Sequence, residues 1–417
     1  KALHLHHSSD VAIKFSRGTM ESHYIRKTGD YLRFYGDDFS TIIFELKNNT
    51  NGGNSCNFPS GNVGIGTSSP GSSYKLDVNG NIRVNGNIEV DGNIEANNTI
   101  KKHVDYSRLY SSGQSVICVL NTGKLLTAGY GGWYQLFNGS NTTLYTLTDV
   151  YTTMTENTST NKQTAVYDGN NAREVSQGYL TDYVLLSSGA ILSGGSNAEG
   201  ALGANHSSSW EHFERVYPSA EYNGMNAVKL ANSSKAYTMG AILNTGQVIM
   251  WGKGNQGQIG NNTTTTRNNK PIAPWTSSTH YTGTNAVDIA IGDSHTVLLL
   301  NNGQVTCCGR GAEGQLGIGS NSQKNTFQIV NTPNSDYDGT NAIAIAAGFQ
   351  STYILLNTGT IVAFGLNNSG QLGINNAINK NKPVNLSHNS GYDGTNAVAI
   401  QAGLYHLVVL LNNGKVL

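Results

Sequence analysis

A turn glycine that returns about every 56 residues constrains this chain more than any other feature, because such a period means stacked repeats. Gly123, Gly189, Gly246, Gly303, Gly359 and Gly414 recur at spacings of 66, 57, 57, 56 and 55 residues. Val297-Leu298-Leu299-Leu300 precedes Asn301-Asn302-Gly303, and Gln304-Val305-Thr306-Cys307-Cys308 follows it. An apolar run, an Asn-Gly or Thr-Gly turn and a second apolar run predict a β-hairpin, since the turn needs positive φ. From the second copy on, a Tyr-x-Gly-x-Asn-Ala element lies upstream, starting at Tyr167, Tyr222, Tyr281, Tyr337 and Tyr392, with a short strand after it. Downstream lies a glycine-rich element, Gly252 to Gly260, which returns as Gly309 to Gly317, Gly365 to Gly373 and, less closely, Gly195 to Gly203. Its third position is Asn197, Gly254, Gly311 or Asn367, residues that tolerate a left-handed backbone; a bend at that position is the expectation.

The element contains G-x-G-x-x-G, but a dinucleotide site needs one copy opening a helix within a βαβ unit. Here the pattern repeats between strands, and Gly254, Gly257, Gly260, Gly311, Gly314, Gly317, Gly370 and Gly373 read as structural glycines. Units of this length with three or four strands read as propeller blades. The hairpin followed by G-x-G-x-x-G-Q-[LI]-G resembles the repeat of the regulator-of-chromosome-condensation propellers, over roughly residues 104–417. The match is degenerate in the first copy, at Gln135-Leu136-Phe137-Asn138-Gly139. The resemblance implies a ring of seven blades in a full protein. This chain shows five full copies and a sixth stopping after Lys415-Val416-Leu417, which reads either as a segment of a longer chain or as a smaller or open ring.

Residues 61–103 differ. Val78-Asn79-Gly80-Asn81-Ile82, Val84-Asn85-Gly86-Asn87-Ile88 and Val90-Asp91-Gly92-Asn93-Ile94 repeat every six residues. One such ribbon cannot bury its apolar edge alone, so a trimeric β-helix or β-prism stalk is the expectation. Gly61 to Pro70 and Leu76 to Gly80 resemble a segment of phage and large-virus tail-fibre and surface-fibre proteins. Residues 1–60 alternate apolar and polar residues, as in Tyr31-Leu32-Arg33-Phe34-Tyr35, and read as a β-rich fibre module. The fold class expected is therefore all-β, a repeat propeller over 104–417 behind a β stalk.

Lys+Arg and Asp+Glu are both 26, and 12% of residues are charged. That balance gives no footprint for nucleic acid, and no run is long enough to span a membrane. Cys56, Cys118, Cys307 and Cys308 have neither zinc nor disulfide-framework spacing. No catalytic constellation emerges, and no cofactor is implied. His295 and His406 share a repeat position, aligned with Ser351, Thr181 and Lys235, and suit hydrogen bonding at a blade edge. A carboxylate pair for glycoside chemistry is missing. His4-Leu5-His6 puts two imidazoles on one face of a strand; on a threefold axis they could hold a divalent transition metal, against the plainer reading of surface histidines.

Trp133, Tyr134, Trp210 and Trp275 sit in divergent loops and are the contact candidates, because aromatics are enriched at binding hot spots. Asn48, Asn97, Asn138, Asn141, Asn157, Asn205, Asn232, Asn261, Asn262, Asn367 and Asn385 each open an Asn-x-Ser/Thr sequon. The reading is a virion-surface or extracellular fibre protein, trimeric through its stalk, not an enzyme, whose propeller binds a host surface protein, a glycan or another fibre subunit. The alternative is an intracellular propeller scaffold or GTPase exchange factor. Either way the rigid blades would present variable polar loops.

Overall fold

The computed structural model describes residues 108–417, apart from 112–113, 151–166, 179, 208–209, 233–234, 236, 277–280, 332–335 and 389–390, and seven strands nearer the N-terminus. The chain divides into two units, Lys1–Lys102 and His103–Leu417. In the first, β1 (Val11–Ser16), β2 (Ser22–Thr28), β3 (Tyr31–Tyr35), β4 (Ile42–Asn48) and β5 (Asn54–Asn57) form one antiparallel meander. There β6 (Val63–Ile65) pairs in parallel with β7 (Leu76–Val78). The hexads from Asn79 onward, and with them most of the expected stalk, lie outside the described residues.

In the second unit every turn glycine closes a hairpin. Gly303 takes φ +78°, and its counterparts lie between +80° and +84°, which is why an L side chain is avoided there. The first five repeats each become a four-stranded antiparallel sheet with neighbours in chain order. Blade 1 is β8 (Arg108–Ser111), β9 (Ser115–Val119), β10 (Leu125–Gly129) and β11 (Leu144–Asp149). Blade 2 is β12 (Ala172–Gln177), β13 (Thr181–Leu186), β14 (Ile191–Gly195) and β15 (Trp210–Arg215). Blade 3 is β16 (Ala227–Asn232), β17 (Thr238–Leu243), β18 (Val248–Lys253) and β19 (Arg267–Ile272). Blade 4 is β20 (Ala286–Ile291), β21 (His295–Leu300), β22 (Val305–Gly309) and β23 (Lys324–Ile329). Blade 5 is β24 (Ala342–Ala347), β25 (Ser351–Leu356), β26 (Ile361–Gly365) and β27 (Lys380–Asn385). The sixth repeat contributes β28 (Ala397–Ala402) and β29 (Leu407–Leu411), with Val416 bridging back to Leu410.

The first strands β12, β16, β20, β24 and β28 neighbour one another in succession, so they form the innermost layer. The core lies between blades rather than inside any one of them. In blade 4, Leu298, Leu300 and Cys308 pack with blade 3, while Val297, Leu299, Val305 and Cys307 pack with blade 5. Strand alternation sends successive side chains to opposite faces, and both faces are covered, so β13, β21 and β25 are buried along their whole length.

The strand ends define two faces of the propeller. The turn glycines and the Tyr-x-Gly-x-Asn-Ala crossovers meet on one, as when Ala342 N donates to Gly303 O at 3.3 Å. The glycine-rich elements and the loops from first to second strand share the other, since His295 pairs with Gly309 and Gly309 with Lys324.

Candidate interaction surface

What the repeated residues do has to be known before the variable ones can be read as a site. Each crossover tyrosine reaches back to the preceding blade. Tyr281 Oη accepts from Val248 N at 2.6 Å and donates to Gly283 O at 3.3 Å. Tyr167, Tyr222, Tyr337 and Tyr392 accept in the same way from Leu125, Ile191, Val305 and Ile361, at 2.7 to 3.0 Å. Burial pushes the Tyr222 and Tyr281 phenols up to about 12, so they keep the proton they donate. A buried hydrogen bond of this kind contributes about 1 kcal/mol, and leaving the amide unpaired costs more.

The glycine-rich element is two consecutive tight turns. Gly257 N donates to Gly254 O at 2.9 Å and Gly260 N to Gly257 O at 3.0 Å, and Gly314 and Gly317 repeat this in blade 4. The positive φ falls on the first, sixth and ninth positions, Gly252 at +87° and Gly257 and Gly260 at +76° each, and not on the third as the sequence suggested. The third position answers a different demand. A Cβ on Gly254 would stand 2.6 Å from Thr265 O, and one on Gly311 2.3 Å from Ser322 O. Where it is Asn367, the side chain ties the same loop together, accepting from Leu372 N at 2.9 Å and donating to Asn376 O at 2.8 Å. The element also packs on the next blade: a Cβ on Gly257 would meet Asn325 Cα at 2.7 Å, and one on Gly260 the Phe327 ring. Gly314 and Gly317 meet Asn381 and Phe364 likewise, whereas Gly370 has nothing within 4 Å and Gly373 only Leu386.

Several sequon asparagines have backbone reasons for their identity. Asn205 and Asn262 hold φ of +64° and +63° at the position that Gly319 holds in blade 4 and Asn375 in blade 5. Asn367 is fully buried with its amide engaged, which corrects its reading as a glycan acceptor. Asn138 accepts from Ser140 N, and Asn385 donates to Asp336. Asn141 and Asn262 are exposed and Asn261 half-buried. Asn97 and Asn157, and the side chains of Asn48 and Asn232, lie outside the described residues, as do His4 and His6.

The aromatic candidates are spread over three blades. Trp133 (45% exposed) and Tyr134 (φ +64°) belong to the blade 1 loop, Trp210 opens β15, and Trp275 (60% exposed) follows β19. The Trp210 side chain lies outside the described residues. On the loops between first and second strands the structure shows a grouping the sequence did not reveal. Lys235 Nζ lies 4.3 Å from the Phe349 ring centroid, and Phe349 stands 5.4 Å from the Tyr405 ring.

Titratable groups in the seams are structural. His295 is fully buried and hydrogen-bonds Thr352 Oγ1 of the next blade at 3.0 Å; Thr352 Oγ1 in turn donates to Gln315 O. Burial lowers the His295 pKa to about 4, so it is neutral near pH 7. The register places Thr238, not Lys235, at this position in blade 3, whose loop is longer. Asp182 is buried between blades 1 and 2, facing Gln177 Nε2 at 3.2 Å and Ser115 Oγ at 3.4 Å, and burial raises its pKa to about 7. Burial raises the Cys307 and Cys308 thiols far above their usual range, which leaves them inert. Among the described residues no group of three His, Cys, Asp or Glu could hold a metal, and no helix is long and apolar enough to cross a membrane.

Stacked four-stranded blades around an innermost layer of first strands define a β-propeller. Two sequence models described as the Regulator of chromosome condensation (RCC1) repeat match residues 286–315 and 342–371, and 245–299 and 358–410. The propeller is of that repeat type. The chain is similar to a human protein described as probable E3 ubiquitin-protein ligase HERC6, with 26% identity over 260 residues, 61% of this chain and 24% of that protein. It is 28% identical over 177 residues to the Drosophila melanogaster Regulator of chromosome condensation, covering 41% of this chain and 29% of that protein. This chain thus spans a quarter to a third of the length of these relatives. The solved structure of Prp20p from Saccharomyces cerevisiae superimposes with TM-score 0.57 and 15% identity over 72% of this chain and 67% of that one.

These likenesses overturn part of the sequence reading. The relatives are chromosome-condensation regulators and ubiquitin ligases rather than fibre proteins. The virion-surface or extracellular placement is corrected accordingly, and so are the trimeric fibre and the host-receptor, glycan and virion-subunit partners.

Proposed function

We propose that this propeller is an intracellular protein-docking scaffold that binds through its loops and does not catalyse. The observation behind this reading is the division of labour in the repeat. The crossover tyrosines and element glycines are spent on joining blades, while the residues that differ between blades stand on the exposed loops. The buried His295, Asp182, Cys307 and Cys308 sit in seams closed to substrate, and Arg310 and Glu313 form an ordinary surface pair at 3.6 Å. A more specific variant, exchange-factor work on a small GTPase, is favoured by one likeness: Prp20p binds Gsp1p and histones.

The test is binding of purified chain to Gsp1p and to histones, with release of labelled guanine nucleotide from Gsp1p followed in parallel. Binding with faster release supports the exchange-factor variant. Binding without it supports the scaffold. Absence of binding to either at about 10 µM, where a useful docking contact would show, counts against both. A substrate turnover abolished by one alanine substitution that leaves the fold intact would sink the non-catalytic reading.

A further inference from the structure

The chain's charges sum to zero, yet the propeller separates them. Arg267, Lys324 and Lys380 are the first residues of β19, β23 and β27, one per blade in three consecutive blades. Each stands on the face that carries the glycine-rich elements, because each pairs across to the end of its blade's third strand: Arg267 with Lys253, Lys324 with Gly309, Lys380 with Gly365. Lys253 and Arg310 add charge at the same edge. Among the described residues, Lys253, Arg267, Lys324 and Lys380 have no carboxylate partner. Among the described residues, the Arg267 guanidinium donates to the carbonyls of Asn197 and Ser207, at 3.1 and 3.3 Å. The hairpin face has the opposite character, with Asp168, Glu221, Asp336, Asp338 and Asp393 in its crossovers.

The blade fold does not demand these cations. The position opposite the first glycine of the element, which Lys324 and Lys380 hold, is Leu144 in blade 1, Trp210 in blade 2 and Asn268, next to Arg267, in blade 3, so it accepts an uncharged residue as readily. Cations without carboxylate partners held at one edge, set against the carboxylates of the far-side crossovers, steer and orient an anionic partner.

We infer that the edge formed by Lys253, Arg267, Lys324 and Lys380 docks an acidic polypeptide segment. The inference rests on the protein-docking reading above and names its face and its partner's chemistry. A polypeptide fits better than nucleic acid. Duplex DNA carries a charge about every 1.7 Å along its axis, whereas this edge offers roughly one cation pair per blade. Asp293 and Glu313 interrupt it, and Asn268, Asn325 and Asn381 stand among its cations. Those carboxylates repel a phosphodiester backbone.

The experiment measures anisotropy of a fluorescein-labelled alternating Glu-Ser peptide of about fourteen residues with the whole chain, over a salt series. Lys324→Glu/Lys380→Glu and the triple variant adding Arg267→Glu are compared with Lys124→Glu/Lys415→Glu on the hairpin face. The edge variants are expected to weaken the peptide about tenfold or more and to flatten the salt dependence, with the hairpin-face variant within about twofold of the parent. The double variant guards against a folding defect from losing the Arg267 contacts. The inference is overturned if the peptide does not bind, if both sets of variants lose affinity alike, or if single-stranded DNA of equal length binds more tightly. Each of those outcomes leaves the docking reading standing, because that reading is decided by Gsp1p and histone binding.

Discussion

In blade 4 the hairpin β21–β22 is buried on both sides, with Val297 and Leu299 turned to blade 5 and Leu298 and Leu300 to blade 3. The sixth repeat has the same hairpin pattern and buries Val409 and Leu411 against blade 5, but Val408 and Leu410 each remain 38% exposed. Its turn glycine shows the same contrast. A Cβ on Gly303 would stand 1.7 Å from Thr340 O of the next crossover, whereas one on Gly414 meets nothing within 4 Å. The two hairpins are alike in local sequence, so the difference belongs to the neighbour. Stability in this fold is a property of junctions, as in other repeat proteins.

The largest expected effect sets those glycines against each other. Gly303→Val combines left-handed strain with overlap onto backbone and should cost about 4 kcal/mol or more, enough to unfold blades 4 and 5. Gly414→Val carries strain alone and should cost about 1–2 kcal/mol. Thermal denaturation of the two variants checks this, and equal losses would break the junction account.

Next comes Tyr281→Phe, which removes a hydroxyl and strands the Val248 amide in the seam between blades 3 and 4. A loss of about 1–3 kcal/mol in urea denaturation is expected. The same change at a tyrosine outside a junction, such as the half-buried Tyr217, should cost a few tenths at most.

Asp182 sharpens the comparison by pH. Its folded pKa of about 7 lies above the unfolded value near 3.9, so the folded state binds the extra proton. Its contribution is therefore most favourable below about pH 4 and is lost as pH rises through about 7. Relative to Asp182→Asn, the parent should gain stability on going from about pH 8 to pH 5. Hydrogen exchange should place the gain at the seam of blades 1 and 2, and a profile parallel to the Asn variant would contradict it. Breaking the exposed Arg310–Glu313 pair with Arg310→Ala should cost no more than about 0.5 kcal/mol by the same denaturation.

The hairpins were legible because their turn chemistry is local: Asn302-Gly303 announces its own φ. The propeller followed from the period. The work of Tyr281 was not legible, since its partner Val248 lies 33 residues earlier and across a blade junction. Nor was the true place of the left-handed bends, because Gly254 and Gly257 look equivalent until the neighbouring Asn325 is set beside one of them. Lys235 was aligned with His295 by counting, and a longer loop in blade 3 shifts the position to Thr238. The basic edge was hidden by a net charge of zero, since only strand direction tells which end of a blade Lys324 or Asp338 occupies.

The central claim is that repeated residues join blades while varying ones bind, and one paired measurement tests it most directly. Melting temperature and Glu-Ser peptide affinity are determined together for Tyr281→Phe and for Lys324→Glu/Lys380→Glu. The account predicts a lower melting temperature with unchanged affinity for the first, and unchanged melting with affinity lowered about tenfold for the second. Loss of peptide binding in Tyr281→Phe while the protein is still folded, or loss of stability without loss of binding in the charge variant, would contradict it.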